Sequence, residues 1–218
     1  SAASDVYKRQ SYMSPEITEV VVVGDITEEE AISSLTFLNE WKIKNVDIPD
    51  LPKPKPGDYT KVYLMDKVGA PQSEIRIGYV SNMTYDATGE YFKTSLMNYS
   101  LGGAFNSRIN LNLREDKGWT YGARSGFSGN DRGSQFTASA GIKSSATDSA
   151  VVEFIKEIKG FQEDGITKDE LNFMRNSIGQ RDARRYETPF QKAGFLGNII
   201  RYDLDGSYVD KQADIIQN

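Results

Sequence analysis

Two residues in this sequence can hold a polarised peptide oxygen at any working pH: Arg114 and Tyr121, seven positions apart. A guanidinium keeps its charge and offers five N–H donors, and a phenol adds one O–H. Both can hydrogen-bond a peptide carbonyl or an oxyanion. They lie in the stretch Leu101–Phe127, LGGAFNSRINLNLREDKGWTYGARSGF. The spacing predicts a short amphipathic helix in which Phe105, Ile109 and Leu113 form one buried stripe. Gly118 stands where a left-handed helix stop belongs. Beyond it the pattern becomes that of a strand carrying Trp119, Tyr121 and Phe127. Arg114 falls in the last helical turn and Tyr121 just past the stop, so a turn between them would bring guanidinium and phenol to one edge of the fold. A helix-end arginine more often bonds the last-turn carbonyls or a neighbouring carboxylate, here Glu115 or Asp116. Spacing alone leaves that alternative open.

What is missing narrows the chemistry as much. The 218 residues contain no histidine and no cysteine. Catalytic zinc sites rely on imidazoles and serine or cysteine triads need one as base, so the chain supplies neither by itself. No pair of carboxylates has a spacing that marks acid–base work, and no residue is assigned a catalytic or metal-ligating role. The net charge is −5 with Lys and Arg dispersed among Asp and Glu, which argues against a nucleic-acid partner. No apolar run approaches the roughly 20 residues that span a bilayer. Gly102-Gly103 opens a helix but lacks the Gly-Lys-Ser/Thr of a phosphate loop, and a tight turn between packed helices is the better reading. Arg181, Arg184 and Arg185 beside Tyr186 read as a solvated face, with a patch for an acidic partner as the minority reading.

The elements that must position Arg114 and Tyr121 follow from periodicity. Residues 1–10 show no pattern. Val20–Val23 reads as a strand buried on both faces. Thr27 with Glu30 forms a capping box for a helix over 28–42 that buries Ala31, Ile32, Leu35, Leu38 and Trp41. Pro49, Pro52, Pro54 and Pro56 stiffen the next stretch into an extended linker. Strands are expected over Lys61–Asp66 and Ser73–Asn82, a helix over Ala87–Tyr99, and an antiparallel pair over Trp119–Ser128 and Ser134–Ile142 around a polar turn. The last third is helical: Thr147–Asp164 stopped by Gly165, a helix capped by Thr167 and Glu170, one begun by Thr188-Pro189, and one from Tyr208. Strands cluster and helices cluster, which favours an α+β fold over an alternating parallel one.

Taken together these segments resemble the pitrilysin/insulinase family of zinc peptidases. Tyr12-Met13-Ser14-Pro15 and Val20–Asp25, ending in Trp41, look like the closing strand and helix of one family repeat. Asp66–Ser73 looks like the opening strand pair of the next. Leu101–Asn110 and Leu113–Ala123 look like the most characteristic segment of the non-catalytic repeat. Residues 1–10 read by themselves as a non-native leader; the resemblance implies 11–42 as the tail of a preceding repeat, 43–60 as linker, and 61–218 as a substrate-binding repeat truncated at its C-terminus, with a mixed, mainly antiparallel sheet and helices packed mostly on one face.

It further implies that the zinc of the parent enzyme, held on an H-x-x-E-H helix, belongs to a facing repeat in the same chain or a partner subunit. Arg114 and Tyr121 are then the substrate-binding pair that completes that site, and the partners are a peptide or protein substrate and the zinc-binding repeat. This fragment alone should be inactive. The rival from another class is a zinc-less structural or recognition subunit of the same fold. A periplasmic or secreted location is favoured over a cytoplasmic one.

Overall fold

A computed structural model describes residues 2–182 and 186–218. In chain order the regular elements are α1 (Ala2–Tyr12), α2 (Glu28–Ser34), β1 (Gln72–Ser81), α3 (Glu90–Asn98), α4 (Arg108–Asn110), β2 (Ala123–Gly129), β3 (Ser134–Lys143), α5 (Thr147–Asp164), α6 (Lys168–Asp182), α7 (Pro189–Tyr202) and α8 (Tyr208–Gln217). They fall into two compact units, Ser1–Pro52 with Asp182–Gly206, and Lys53–Arg181 with Ser207–Asn218.

In the first unit, Thr27 and Glu30 close the capping box of α2: the Thr27 N–H donates to Glu30 Oε2 at 2.9 Å and the Glu30 N–H to Thr27 Oγ1 at 3.2 Å. The helix is shorter than periodicity predicts. It ends at Ser34 and continues as a 3-10 turn over Thr36–Glu40, which leaves Ile32 exposed rather than buried. Val20–Val23 is not a strand. Four β-branched residues favour an extended chain, but a strand exists only where another supplies its hydrogen bonds, and none does so among the described residues. Residues without periodicity nevertheless form α1, with Arg9 paired to Asp5 one turn back at 3.0 Å. α7 carries a second capping box, Thr188 with Gln191, behind Pro189 at the first position.

The second unit is built on a three-stranded antiparallel sheet in the order β1-β3-β2. β3 alternates strictly: Ser134, Phe136, Ala138, Ala140 and Ile142 are buried, and the residues between them are not. The sheet therefore has one covered face and one open face. The covered face meets Ile109, Leu113, Phe154 and Phe161 in a single core. Full burial of such side chains stabilises by roughly 1.5–3 kcal/mol each. α5 spans the predicted residues and stops at Gly165, whose φ of 69° is the left-handed value a glycine accepts. Thr167 and Glu170 cap α6 reciprocally, as their spacing predicts.

Lys61–Asp66, predicted as a strand, has no ladder; Val62, Tyr63, Leu64 and Met65 are between 86% and 93% exposed. Among the described residues nothing pairs with it, nor with the outer edge of β1.

Candidate functional site

The segment between α3 and β2 is wound more loosely than an ordinary helix. Two stretches, Tyr99–Gly103 and Leu111–Asp116, are π-helical, with α4 between them. Such turns widen a helix by one residue and redirect the side chains that follow. Ile109 and Leu113 point into the core and are fully buried. Phe105 does not join them. It precedes the first helical residue, Arg108, so the four-residue spacing does not apply to it, and it is 63% exposed.

The end of the second π turn is fixed by three backbone bonds. The Lys117 N–H donates to the Asn112 carbonyl at 2.9 Å, the Gly118 N–H to Arg114 at 3.1 Å, and the Trp119 N–H to Leu113 at 3.0 Å. Gly118 takes φ 61°, the left-handed stop that its position predicts. Arg114 is thereby set in the last turn. Its guanidinium carbon lies 4.4 Å from the centre of the Phe105 ring, a cation–π contact. Its Nε is 3.5 Å from Glu115 Oε1, too long for a hydrogen bond. Asp116 pairs instead with Lys117 at 2.6 Å. Of the two ordinary roles for a helix-end arginine, the neighbouring carboxylate is thus met only loosely. The guanidinium stands over an aromatic plate, and its ion pair among the described residues is the long one to Glu115.

Tyr121 is not in a strand. Residues 119–122 form a tight loop, and β2 starts only at Ala123. The Thr120 Oγ1 donates to the Gly122 carbonyl at 3.0 Å and receives the Gly122 N–H at 3.1 Å. On one side the loop is pinned at Trp119, whose carbonyl accepts from the Lys143 N–H at 3.0 Å. On the other it is pinned at Ala123, whose N–H donates to Asn110 Oδ1 at 2.9 Å. Tyr121 stands at the tip between these anchors and is 91% exposed. Arg114 and Tyr121 touch neither each other nor a common partner. Both are presented outward from rigid supports on the same short segment.

α3 and the segment that follows it seal the outer edge of β2, a role that periodicity does not reveal. Buried Asn98 donates from Nδ2 to the Ser125 carbonyl at 2.9 Å and accepts from Ser125 Oγ at 2.7 Å. Asn110 takes the Ala123 N–H. The Tyr91 hydroxyl donates to the Phe127 carbonyl at 3.3 Å. Edge N–H and C=O groups that would otherwise recruit another strand are satisfied by side chains. The signal in the sequence is two asparagines inside helical stretches, where asparagine is a poor helix former.

Among the described residues no group of three His, Cys, Asp or Glu is placed to hold a metal ion. The donor set of this chain does not fit zinc, and no chemical step is assigned to a metal on it. No described helix is long and apolar enough to cross a membrane. The side chain of Arg181 and all of Arg184 and Arg185 lie outside the described residues.

The second unit is thus an α+β domain with one covered sheet face and, among the described residues, no group placed to hold a metal ion. The family model described as the Peptidase M16 inactive domain matches residues 9–178, and the chain belongs to that family. No curated protein matches it. Among solved structures, a peptidase M16 inactive domain from Pseudomonas fluorescens is 19% identical, with 89% of this chain and 46% of that chain covered and a TM-score of 0.70. A protease from Helicobacter pylori is 18% identical, with 90% and 48% covered and a TM-score of 0.73. The periplasmic protease PqqL from Escherichia coli is 18% identical, with 89% and 21% covered and a TM-score of 0.62. At these identities the likeness is one of fold. The chain spans less than half the length of each of these structures.

Proposed function

We propose that this chain is the substrate-binding, non-catalytic half of a zinc metalloendopeptidase, in which Arg114 and Tyr121 complete an active site whose metal belongs to a facing repeat. The observation that carries this reading is the mounting of Arg114: its guanidinium carbon sits 4.4 Å from the centre of the Phe105 ring, and its nearest carboxylate among the described residues, Glu115, is 3.5 Å away. A cation fixed in advance is suited to a carbonyl oxygen that gains negative charge, because nothing must reorganise when the charge develops. Tyr121, held at a pinned loop tip, adds a phenol donor that can orient the peptide backbone. In this reading residues 11–42 are the tail of a preceding repeat, 43–60 the linker, and 61–218 the substrate-binding repeat.

The test is Arg114→Ala in the full-length parent. We expect kcat/KM to fall by about 10²–10³, as for loss of one preorganised oxyanion donor, with zinc content unchanged. Unchanged turnover in the variant would sink the role of Arg114, whereas a parent with no zinc-dependent turnover at all would leave the zinc-less scaffold as the better reading. A periplasmic or secreted parent is consistent with the fold shared with periplasmic PqqL, and cell fractionation checks it.

A further inference from the structure

The open face of the sheet carries a second constellation. Arg76 on β1, Ser139 on β3 and Arg124 on β2 sit in one cross-strand rung. Ile75, Ala138, Ala140 and Ala123, their chain neighbours, face the core, so by alternation the three side chains share the uncovered face. Adjacent strands lie about 4.8 Å apart, which puts the two arginine Cα atoms roughly 10 Å from each other. At that separation both guanidinium groups can reach one anion above the Ser139 hydroxyl. Neither arginine has an ion pair within 4.0 Å among the described residues.

The rung opens into a cavity of ≈ 410 Å³ that also includes Glu74, Gly103, Phe105 and Gly141. Glu74 stands one rung away opposite Gly141 and supplies the one negative charge of the cavity wall. Two arginines against one carboxylate leave a net positive site. The small residues leave it unfilled. Phe105 is the shared wall: Arg114 lies on this ring, which also borders the cavity.

We propose that this end of the sheet is an anionic subsite that takes a carboxylate of the bound peptide, from an acidic side chain or from the C-terminus. It rests on the reading of the chain as a substrate-binding repeat. It adds a substrate class, peptides with a carboxylate a few residues from the backbone oxygen held at Arg114. Two guanidinium groups and a hydroxyl supply charge-assisted bonds in a planar, forked geometry suited to carboxylate.

The experiment uses the full chain and three ten-residue peptides of one sequence. One carries a single Glu and an amidated end, one has Gln in its place and an amidated end, and one has Gln and a free C-terminus. Binding is read by fluorescence anisotropy, and the arginine Nε–H resonances of the protein by NMR. We expect a carboxylate-bearing peptide to bind about tenfold more tightly than the neutral one, with the Arg76 and Arg124 signals shifting. Preference for the Glu peptide assigns a side-chain carboxylate, and preference for the free end assigns the C-terminus. In the Arg76→Gln/Arg124→Gln variant the preference should vanish while the neutral peptide binds as before. The two single variants serve if the double one misfolds.

Equal binding of all three peptides, or a preference that survives the double variant, overturns the subsite. A preference retained alongside Arg114→Ala with no effect on any peptide overturns the proposed function and leaves the subsite standing. Should no peptide bind, N-acetylglutamate against N-acetylglutamine decides: selective shifts at Arg76 and Arg124 support the subsite, and their absence overturns it.

Discussion

Arg108 holds Glu170 in a two-pronged grip, Nε to Oε1 at 2.5 Å and Nη2 to Oε2 at 2.7 Å. The same Nη2 donates to the Gly165 carbonyl at 2.8 Å, and the guanidinium carbon lies 4.8 Å from the centre of the Phe161 ring. Glu170 in turn accepts the Thr167 N–H at 2.8 Å. The first residue of α4 is therefore locked to the turn between α5 and α6. Arg108→Ala removes the fork, the carbonyl bond and the ring contact together, and the expected loss is about 2–3 kcal/mol of unfolding free energy. Urea unfolding of the variant checks it, as a lower midpoint at unchanged slope. Arg108→Lys keeps the charge without the fork and should recover less than half.

The same pair sets a pH dependence. The hydrogen bond from Arg108, helped by Thr167, lowers the Glu170 carboxyl from 4.5 to about 2. A depressed carboxylate stabilises the fold above its ordinary value, and that contribution is lost as protons bind between about 4.5 and about 2. Glu170→Gln should therefore cost up to ~3 kcal/mol at neutral pH and progressively less toward pH 2. Unfolding midpoints of both proteins across that range should converge on acidification; a constant gap would refute the linkage.

Phe105 separates function from stability. Its ring is mostly exposed, yet it carries the Arg114 guanidinium. Phe105→Ala should change unfolding free energy by no more than about 1 kcal/mol. It should nonetheless lower kcat of the parent several-fold, because Arg114 must then be ordered at the moment of use. Phe105→Tyr, which preserves the plate, should restore it. Loss of activity in the tyrosine variant as well would count against the plate.

Local chemistry was legible in the sequence, and pairing only where a short turn joins the two strands, as it does β2 and β3. Thr27 with Glu30, Thr167 with Glu170, and the stop at Gly165 act within a few residues, so spacing reveals them. Val20–Val23 and Lys61–Asp66 have strand composition, but a ladder depends on a second strand that composition does not show. Phe105 is misplaced by periodicity because the helix starts three residues later than its pattern implies. Arg114 and Tyr121 stand out by residue type. Their supports, Phe105 under one and the Thr120–Gly122 loop under the other, required the backbone path. The Arg76–Ser139–Arg124 rung needs the β2–β3 hairpin and also the β1–β3 register, in which Arg76 and Ser139 lie far apart in sequence, and no short-range pattern encodes the latter. The asparagines that cap β2 show in the sequence only as poor helix formers inside helical stretches, and their partners on β2 are not encoded locally.

Two glycines test whether the side-chain seal on β2 matters. A Cβ at Gly102 would overlap the Oγ, N and Cβ of Ser125, whereas a Cβ at Gly126 on the open face meets nothing within 4 Å. Gly102→Ala must push the π turn off β2 and strain the paired bonds between Asn98 and Ser125. We expect a loss of about 1–3 kcal/mol, within the range for overpacking a filled site. Amide exchange at Ala123 should accelerate as its bond to Asn110 loosens, while amides of β1 keep their protection. Gly126→Ala should be nearly neutral, since a strand tolerates a side chain on its open face. Equal costs for the two variants would mean that the glycine at each position matters for chain entropy alone, and that the seal contributes nothing specific.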